Sequence, residues 1–141
     1  MNVFETTLQV RFGHVDPAGI AYFPRIFDYL HDVFEELWEE HVGQRYYHLL
    51  LEQNIGFPLV HCEVDFRKSL HFGDRPTVRV TCVRMGRSSL SLRYRVLKGD
   101  QLAVEAVMVT ACTDMKTGKS MPIPTAFRDA FEVIREPAQE S

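Results

Sequence analysis

Arg11-Phe12-Gly13-His14-Val15-Asp16-Pro17-Ala18-Gly19-Ile20-Ala21-Tyr22-Phe23-Pro24 is the stretch on which the fold turns, because it joins a strand directly to a long helix. On its N-terminal side, Leu8 and Val10 alternate with polar neighbours and predict a strand over residues 6–11. On its C-terminal side, Ile26, Leu30, Val33, Phe34, Leu37 and Trp38 recur at helical spacing. Asp32, Glu35, Glu36, Glu39 and Glu40 fall largely opposite them. Pro24 suits the first turn of such a helix, where a missing N–H costs nothing, and Gly43 is a natural stop. Residues 45–53 predict a short second helix.

Beyond Gly56 and Pro58 the period changes from helical to two. Cys62, Val64 and Phe66 alternate with Glu63, Asp65 and Arg67; Val78, Val80 and Cys82 alternate with Arg79 and Thr81; Leu90, Leu92, Tyr94 and Val96 alternate with Ser89, Ser91, Arg93 and Arg95. Each reads as a half-buried strand. Gly99-Asp100 marks a hairpin into residues 102–113, a strand apolar on both faces and therefore expected to be central in the sheet, flanked by the helix on one side and by a partner subunit on the other. A turn over 114–119, an extended segment at Pro122 and Pro124, and a short helix over 127–134 complete the pattern. The class is α+β, a long helix across a curved antiparallel sheet of about five strands.

With 141 residues, 45% hydrophobic and 25% charged, the chain has the make-up of one globular domain spanning residues 1–141, with the tail EPAQES (136–141) expected to fray. A net charge of -3 gives no general electrostatic reason to bind nucleic acid. No apolar run approaches a bilayer span, and the N-terminus MNVFETTLQV carries neither the basic segment nor the apolar run of a signal peptide, so a cytoplasmic location is expected. Cys62, Cys82 and Cys112 are odd in number and far apart in apolar segments, which predicts buried thiols rather than disulfides. The six histidines lack metal-ligand spacing, and no metal or other cofactor is expected.

Asp16, followed by Pro, Ala and Gly, can shape a tight turn simply by accepting backbone hydrogen bonds. The same position also delivers a carboxylate close to a helix N-terminus, whose unpaired N–H groups can polarise a carbonyl oxygen, and that pairing suits acyl transfer. The run RFGHVDPAGIAYFP, with the amphipathic helix after it, resembles the active-site segment of the hotdog-fold thioesterases, in particular the 4-hydroxybenzoyl-CoA thioesterase branch with its aspartate in a DPAG turn. The likeness extends through Val64-Asp65-Phe66, Phe72-Gly73-Asp74, the stretch Met85-Gly86-Arg87-Ser88-Ser89 and the strand ending near Thr113, covering roughly residues 5–130.

The resemblance implies a hotdog fold: a five-stranded antiparallel sheet wrapped around a long central helix, with subunits joined edge to edge as a homodimer or as a homotetramer of two dimers. It makes Asp16 the catalytic carboxylate, as nucleophile or as general base. It gives the backbone N–H of Phe23 the thioester carbonyl to polarise, and Gly19 the close passage of the loop past the acyl group. Tyr22 and Phe23 would line an acyl pocket, although aromatics before a helix often pack as core. Arg84, Arg87, Ser88 and Ser89 fall where the family contacts coenzyme A, against the plainer reading of a solvated basic hairpin.

His14, two residues before Asp16, departs from the family's usual small or acidic residue and is expected to serve the loop. A second branch takes its carboxylate from the helix, for which Asp32, Glu35 and Glu36 would stand; their acidic surroundings read instead as a solvated face. The implied activity is hydrolysis of an acyl-CoA thioester to a free acid and coenzyme A, with 4-hydroxybenzoyl-CoA or a related aromatic thioester foremost. A short-chain aliphatic substrate, an acyl carrier protein as thioester carrier, and a non-catalytic acyl-CoA-binding protein are the alternatives. The last predicts binding without turnover and indifference to Asp16→Asn.

Overall fold

Helix α1 (Phe23–Leu37) forms where the polarity of the sequence splits most cleanly, and it buries Ile26, Tyr29, Leu30, Val33, Phe34 and Leu37 on one face. The structure is a computed structural model and describes residues 2–137. The helix continues into one wider π turn, Trp38–Val42, and stops at Gly43, whose φ of +86° lets its N–H close on the Trp38 carbonyl at 2.9 Å. Trp38 is fully buried, with ring centroids 5.0 Å from Phe57, 5.0 Å from Phe127 and 5.4 Å from Phe131. Helix α2 (Tyr46–Gln53) comes next, and helix α3 (Thr125–Val133) supplies Phe127 and Phe131 to the Trp38 cluster.

Five strands wrap α1: β1 (Phe4–Thr7), β3 (Leu59–Phe66), β4 (Thr77–Met85), β5 (Ser89–Lys98) and β6 (Gln101–Ala111). All pairings are antiparallel, in the order β1-β4-β5-β6-β3. Alternation on β4 and β5 decides which face meets the helix: Val78, Val80, Cys82, Leu90, Leu92, Tyr94 and Val96 are all buried, joined from β6 by Val104 and Ala106. The two-residue turn Gly99-Asp100 joins Lys98 to its partner Gln101, with Gly99 at φ +60° as such a turn requires. A small second sheet, β2 (Ile55–Gly56), β7 (Thr113–Asp114) and β8 (Lys119–Ser120), continues from α2 and β6. This is the helix-in-sheet architecture that the hotdog resemblance implies.

Four sequence expectations differ from the structure. Strand β1 ends at Thr7; residues 8–11 stay extended, their Leu8 and Val10 amides donating to the Pro76 and Asp74 carbonyls at 2.9 Å each instead of continuing the ladder. Strand β3 is not half-buried: every residue except Val64 is exposed, because β3 is a sheet edge that α1 meets only near its end, where Phe27 touches Phe66. Cys62 is accordingly an exposed thiol, whereas Cys82 and Cys112 are buried, and burial pushes both of those thiols up to about 11. Strand β6 is paired on both sides, but β5 holds the middle of the sheet.

The fourth difference is at the C-terminus. Glu136, expected to fray, is fixed: its amide donates to the Cys82 carbonyl at 2.8 Å, and its carboxylate accepts from Thr81 Oγ1 at 2.6 Å and Arg93 Nε at 2.7 Å. Arg93 also donates to Glu105 at 2.8 Å. Burial opposes ionisation of Glu136, but these donors outweigh it and hold the carboxyl below its usual range. Residues 138–141 of the tail lie outside the described residues.

Candidate active site

The DPAG turn is shaped by its own aspartate. Asp16 Oδ1 accepts from the amides of Ala18 at 2.9 Å and Ile20 at 3.3 Å, while the Asp16 amide donates to the Ile20 carbonyl and the Gly19 amide to the Asp16 carbonyl, both at 2.9 Å. Gly19 sits at φ +78°, a conformation that strains an L side chain, although a Cβ there would meet nothing within 4 Å. Shaping the turn occupies one carboxylate oxygen only. Oδ2 has no hydrogen bond among the described residues, and the side chain is exposed.

A second turn, after β3, holds this loop in place. The Ala21 amide donates to the Leu70 carbonyl at 2.7 Å, the Phe72 amide to Gly19 at 2.9 Å and the Gly73 amide to Val10 at 3.0 Å. That second turn is itself tied down by Asp74, which accepts from the His71 amide at 2.7 Å and pairs with Lys98 Nζ at 3.0 Å. Burial works against the Asp74 charge, yet these donors keep its carboxyl below the ordinary value.

Helix α1 begins without a side-chain cap. Tyr22 is extended (φ -62°, ψ 131°), the Arg25 amide returns to the Tyr22 carbonyl at 2.8 Å and Pro24 has no N–H to satisfy. The Phe23 N–H is left without a partner among the described residues. Asp16 and Phe23 line one cavity of about 370 Å³, together with Tyr22 and Ile26 on the helix side and residues 66–70 and Val104 on the sheet side. Tyr22 and Phe23 are 58% and 61% exposed, so neither packs as ordinary core.

Arg67, Lys68 and Ser69 also line this cavity, and sequence reasoning missed them. Both the Arg67 and Lys68 amides donate to the Ala103 carbonyl, at 2.8 and 3.0 Å, which turns the chain at the end of β3 and places two cationic side chains near the aspartate. The available signal was a basic pair at the exit of a strand, just ahead of the Leu70 carbonyl that fastens the Asp16 loop.

The basic hairpin lies elsewhere. Arg84, Arg87, Ser88 and Ser89 do not line the Asp16 cavity of the same chain. Their turn is rigid: the Gly86 amide donates to the Ser89 carbonyl at 2.9 Å, the Cys112 amide to Ser88 at 2.7 Å and Arg128 Nη2 to Gly86 at 2.8 Å. Arg84 and Arg87 are exposed and Ser88 and Ser89 half-buried, so the turn displays its cations outward.

His14 serves the loop and does not touch Asp16. Its Nδ1 takes the Arg11 amide at 3.3 Å and the Tyr29 hydroxyl at 2.8 Å; an amide can only donate, so Nδ1 is the acceptor and Tyr29 the donor. The helix carboxylates behave as a solvated face: Asp32 is exposed, Glu35 pairs with His31 at 3.2 Å and Glu36 accepts from Thr6 Oγ1 at 2.7 Å.

A free carboxylate oxygen and an open helix-terminal amide facing one cavity form the arrangement that acyl transfer requires, a group to attack or activate water beside a donor for the developing oxyanion. The chain belongs to the thioesterase-like superfamily, whose family model matches residues 10–131. Among its relatives, the 1,4-dihydroxy-2-naphthoyl-CoA hydrolase of Synechococcus elongatus is 24% identical over 128 residues, covering 90% of this chain and 93% of that one. Two solved structures share the fold. A thioesterase-superfamily protein from Jannaschia sp. has a TM-score of 0.89 at 24% identity, covering 96% of this chain and 94% of the other. The 1,4-dihydroxy-2-naphthoyl-CoA thioesterase from Synechocystis has 0.84 at 24% identity, covering 96% and 100%. Among the described residues, no helix is long and apolar enough to cross a membrane.

Proposed function

We propose that this chain, acting as one domain, hydrolyses an aromatic acyl-CoA thioester to the free acid and coenzyme A, with the Asp16 carboxylate and the Phe23 amide as its catalytic pair. The observation that carries this reading is their convergence on one cavity, with Oδ2 and the N–H both uncommitted. Asp16 either attacks the carbonyl carbon or takes a proton from an attacking water; in both cases the negative charge gathers on the carbonyl oxygen and the Phe23 N–H stabilises it. The tetrahedral adduct then collapses, the C–S bond breaks and coenzyme A leaves as a thiol. Gly19 keeps the turn in its left-handed conformation so that the carboxylate faces the cavity.

Tyr22 and Phe23 line the acyl entrance, and Arg67 and Lys68 offer charge to the phosphates of the nucleotide. Arg84, Arg87, Ser88 and Ser89 act from a neighbouring subunit, since within one chain they lie outside the Asp16 cavity. Strand β3 supplies the means of pairing: it is an eight-residue sheet edge, exposed on both faces, with Leu59, Val60 and Phe66 among the exposed apolar side chains. The acyl group is an aromatic ring bearing hydroxyl, as in 4-hydroxybenzoyl-CoA or 1,4-dihydroxy-2-naphthoyl-CoA. Relatives named for the second substrate and the DPAG segment that resembles the branch named for the first both support this choice.

The test is thiol release from a panel of benzoyl, 4-hydroxybenzoyl, 1,4-dihydroxy-2-naphthoyl, acetyl and long-chain acyl-CoA thioesters, with Asp16→Asn beside the wild type. Asparagine keeps an Oδ1 acceptor for Ala18 and Ile20, so the variant folds and melts like the parent while turnover of the aromatic thioesters falls at least about a hundredfold. Full activity of Asp16→Asn, or preference for the aliphatic members, overturns the reading.

A further inference from the structure

Beyond the Asp16 cavity, a second one of about 280 Å³ lies between α1 and the inner face of β5 and β6. Its walls are mostly apolar, with Phe27, Leu30, Phe34 and Met108 among them, but they include the phenol of Tyr94. Tyr94 is 1% exposed, and its hydroxyl has no hydrogen bond among the described residues, yet it is not sealed in, since Trp38 Nε1 is the one fully enclosed side-chain polar atom there without a partner. A hydroxyl that is uncommitted and open to a cavity can bond to a polar group placed in that cavity. A second hydroxyl nearby is half committed: Tyr46 accepts the Phe57 amide at 2.7 Å and keeps its own proton to donate.

The two cavities follow one another along α1 and β6. Phe23 lines the first and Phe27 the second, and four residues of helix rise about 6 Å. On the sheet side, Val104 lines the first and Met108 the second, and Ala106, the small residue between them on the same face, is the registered partner of Tyr94. The border is an aromatic pair, Phe27 and Phe66, in edge contact with centroids 6.5 Å apart at 71°. A carbonyl held at the Phe23 amide therefore directs a planar substituent past aromatic edges towards Tyr94.

We infer that the second cavity receives the ring of the acyl group and that the Tyr94 hydroxyl selects rings bearing a hydroxyl substituent by hydrogen-bonding to it. This rests on the aromatic acyl-CoA reading and adds a specificity-determining residue to it. An alkyl chain in the same space would leave Tyr94 unpaired, whereas a ring hydroxyl both donates and accepts.

The experiment compares kcat/KM for 4-hydroxybenzoyl-CoA and benzoyl-CoA in wild type and Tyr94→Phe. The ratio favouring the hydroxylated thioester falls about tenfold in the variant, the worth of one buried hydrogen bond. A second variant, Met108→Trp, fills the cavity without touching Asp16 or Phe23, and lowers kcat/KM for both aromatic thioesters relative to acetyl-CoA. A substrate ratio unmoved by Tyr94→Phe in a protein with wild-type melting behaviour overturns the role of Tyr94. Aromatic preference unmoved by Met108→Trp overturns the cavity assignment. These failures are separate from that of the catalytic reading: if Asp16→Asn abolishes turnover while both cavity variants leave the preferences alone, only the role of the second cavity is lost.

Discussion

Replacing Arg93 by methionine tests how the outer face of the sheet is held together. Arg93 donates to Glu136 at 2.7 Å and to Glu105 at 2.8 Å, and the three side chains are only 17%, 12% and 17% exposed. Methionine fills much of the same space but leaves Glu136 with Thr81 alone, while Glu105 keeps only Arg95 at 3.6 Å. Stripping one partner from a buried pair costs about 3–5 kcal/mol, because the remaining charge stays desolvated. For a chain of 141 residues, at about 3 °C per kcal/mol, Tm at pH 7 falls by about 10–15 °C. The direction with pH comes from Glu136, whose folded pKa is depressed. Its contribution is complete above the ordinary carboxylate range and disappears as pH drops through the folded value, so the gap between wild type and variant narrows as the solution is acidified past that range. Scanning calorimetry at fixed protein concentration from pH 7 to pH 3 reads both. A Tm within about 2 °C of wild type at pH 7, or a gap that does not change with pH, would refute the claim that these charges hold the C-terminal segment onto β4.

Other substitutions probe the loop and the edge. Gly19→Ala adds a Cβ that meets nothing within 4 Å, so its cost is the backbone conformation, about 1–3 kcal/mol by denaturant titration, and it lowers kcat by moving Asp16; unchanged stability and rate together contradict the requirement for φ +78°. If the hairpin at Arg84 and Arg87 serves a neighbouring subunit, as proposed above, Val60→Lys combined with Cys62→Lys on the exposed β3 edge shifts the protein towards monomer in sedimentation equilibrium and reduces turnover with it. A wild type that is monomeric and fully active argues against a shared site.

Helix α1 was legible because its apolar positions and its acidic positions separate at period 3.6, and the same separation is what buries Leu30, Val33 and Leu37. The hairpin at Gly99-Asp100 was equally plain, since few other dipeptides allow that turn. Strand β3 was misjudged from the same kind of pattern. Alternation of Cys62, Val64 and Phe66 with charged residues signals one covered face, but which element covers it is a tertiary matter, and α1 lies over β4, β5 and β6 instead. Asp16 and the Phe23 amide were readable as a pair because they belong to one short loop. Arg67 and Lys68 reach the same cavity from a distant part of the chain, through a backbone contact between Ala21 and Leu70 that no local pattern encodes. Glu136 was hidden for a related reason: its partners Thr81, Arg93 and Cys82 belong to strands far away in sequence, and a terminal EPAQES reads as polar surface.

The loop that carries Asp16 is fastened to the turn after β3 mainly through amides and carbonyls, Ala21 to Leu70, Phe72 to Gly19 and Gly73 to Val10, with the Phe12 ring edge-on to Phe72 as the side-chain contact. Its placement is thus largely indifferent to what projects from Ile20 or Tyr22. Those two positions can drift in size and polarity, reshaping the entrance for a different acyl group, while the carboxylate keeps its station. A scaffold stitched in this way separates the question of which thioester enters from the question of how it is cleaved, and lets one be altered without reopening the other.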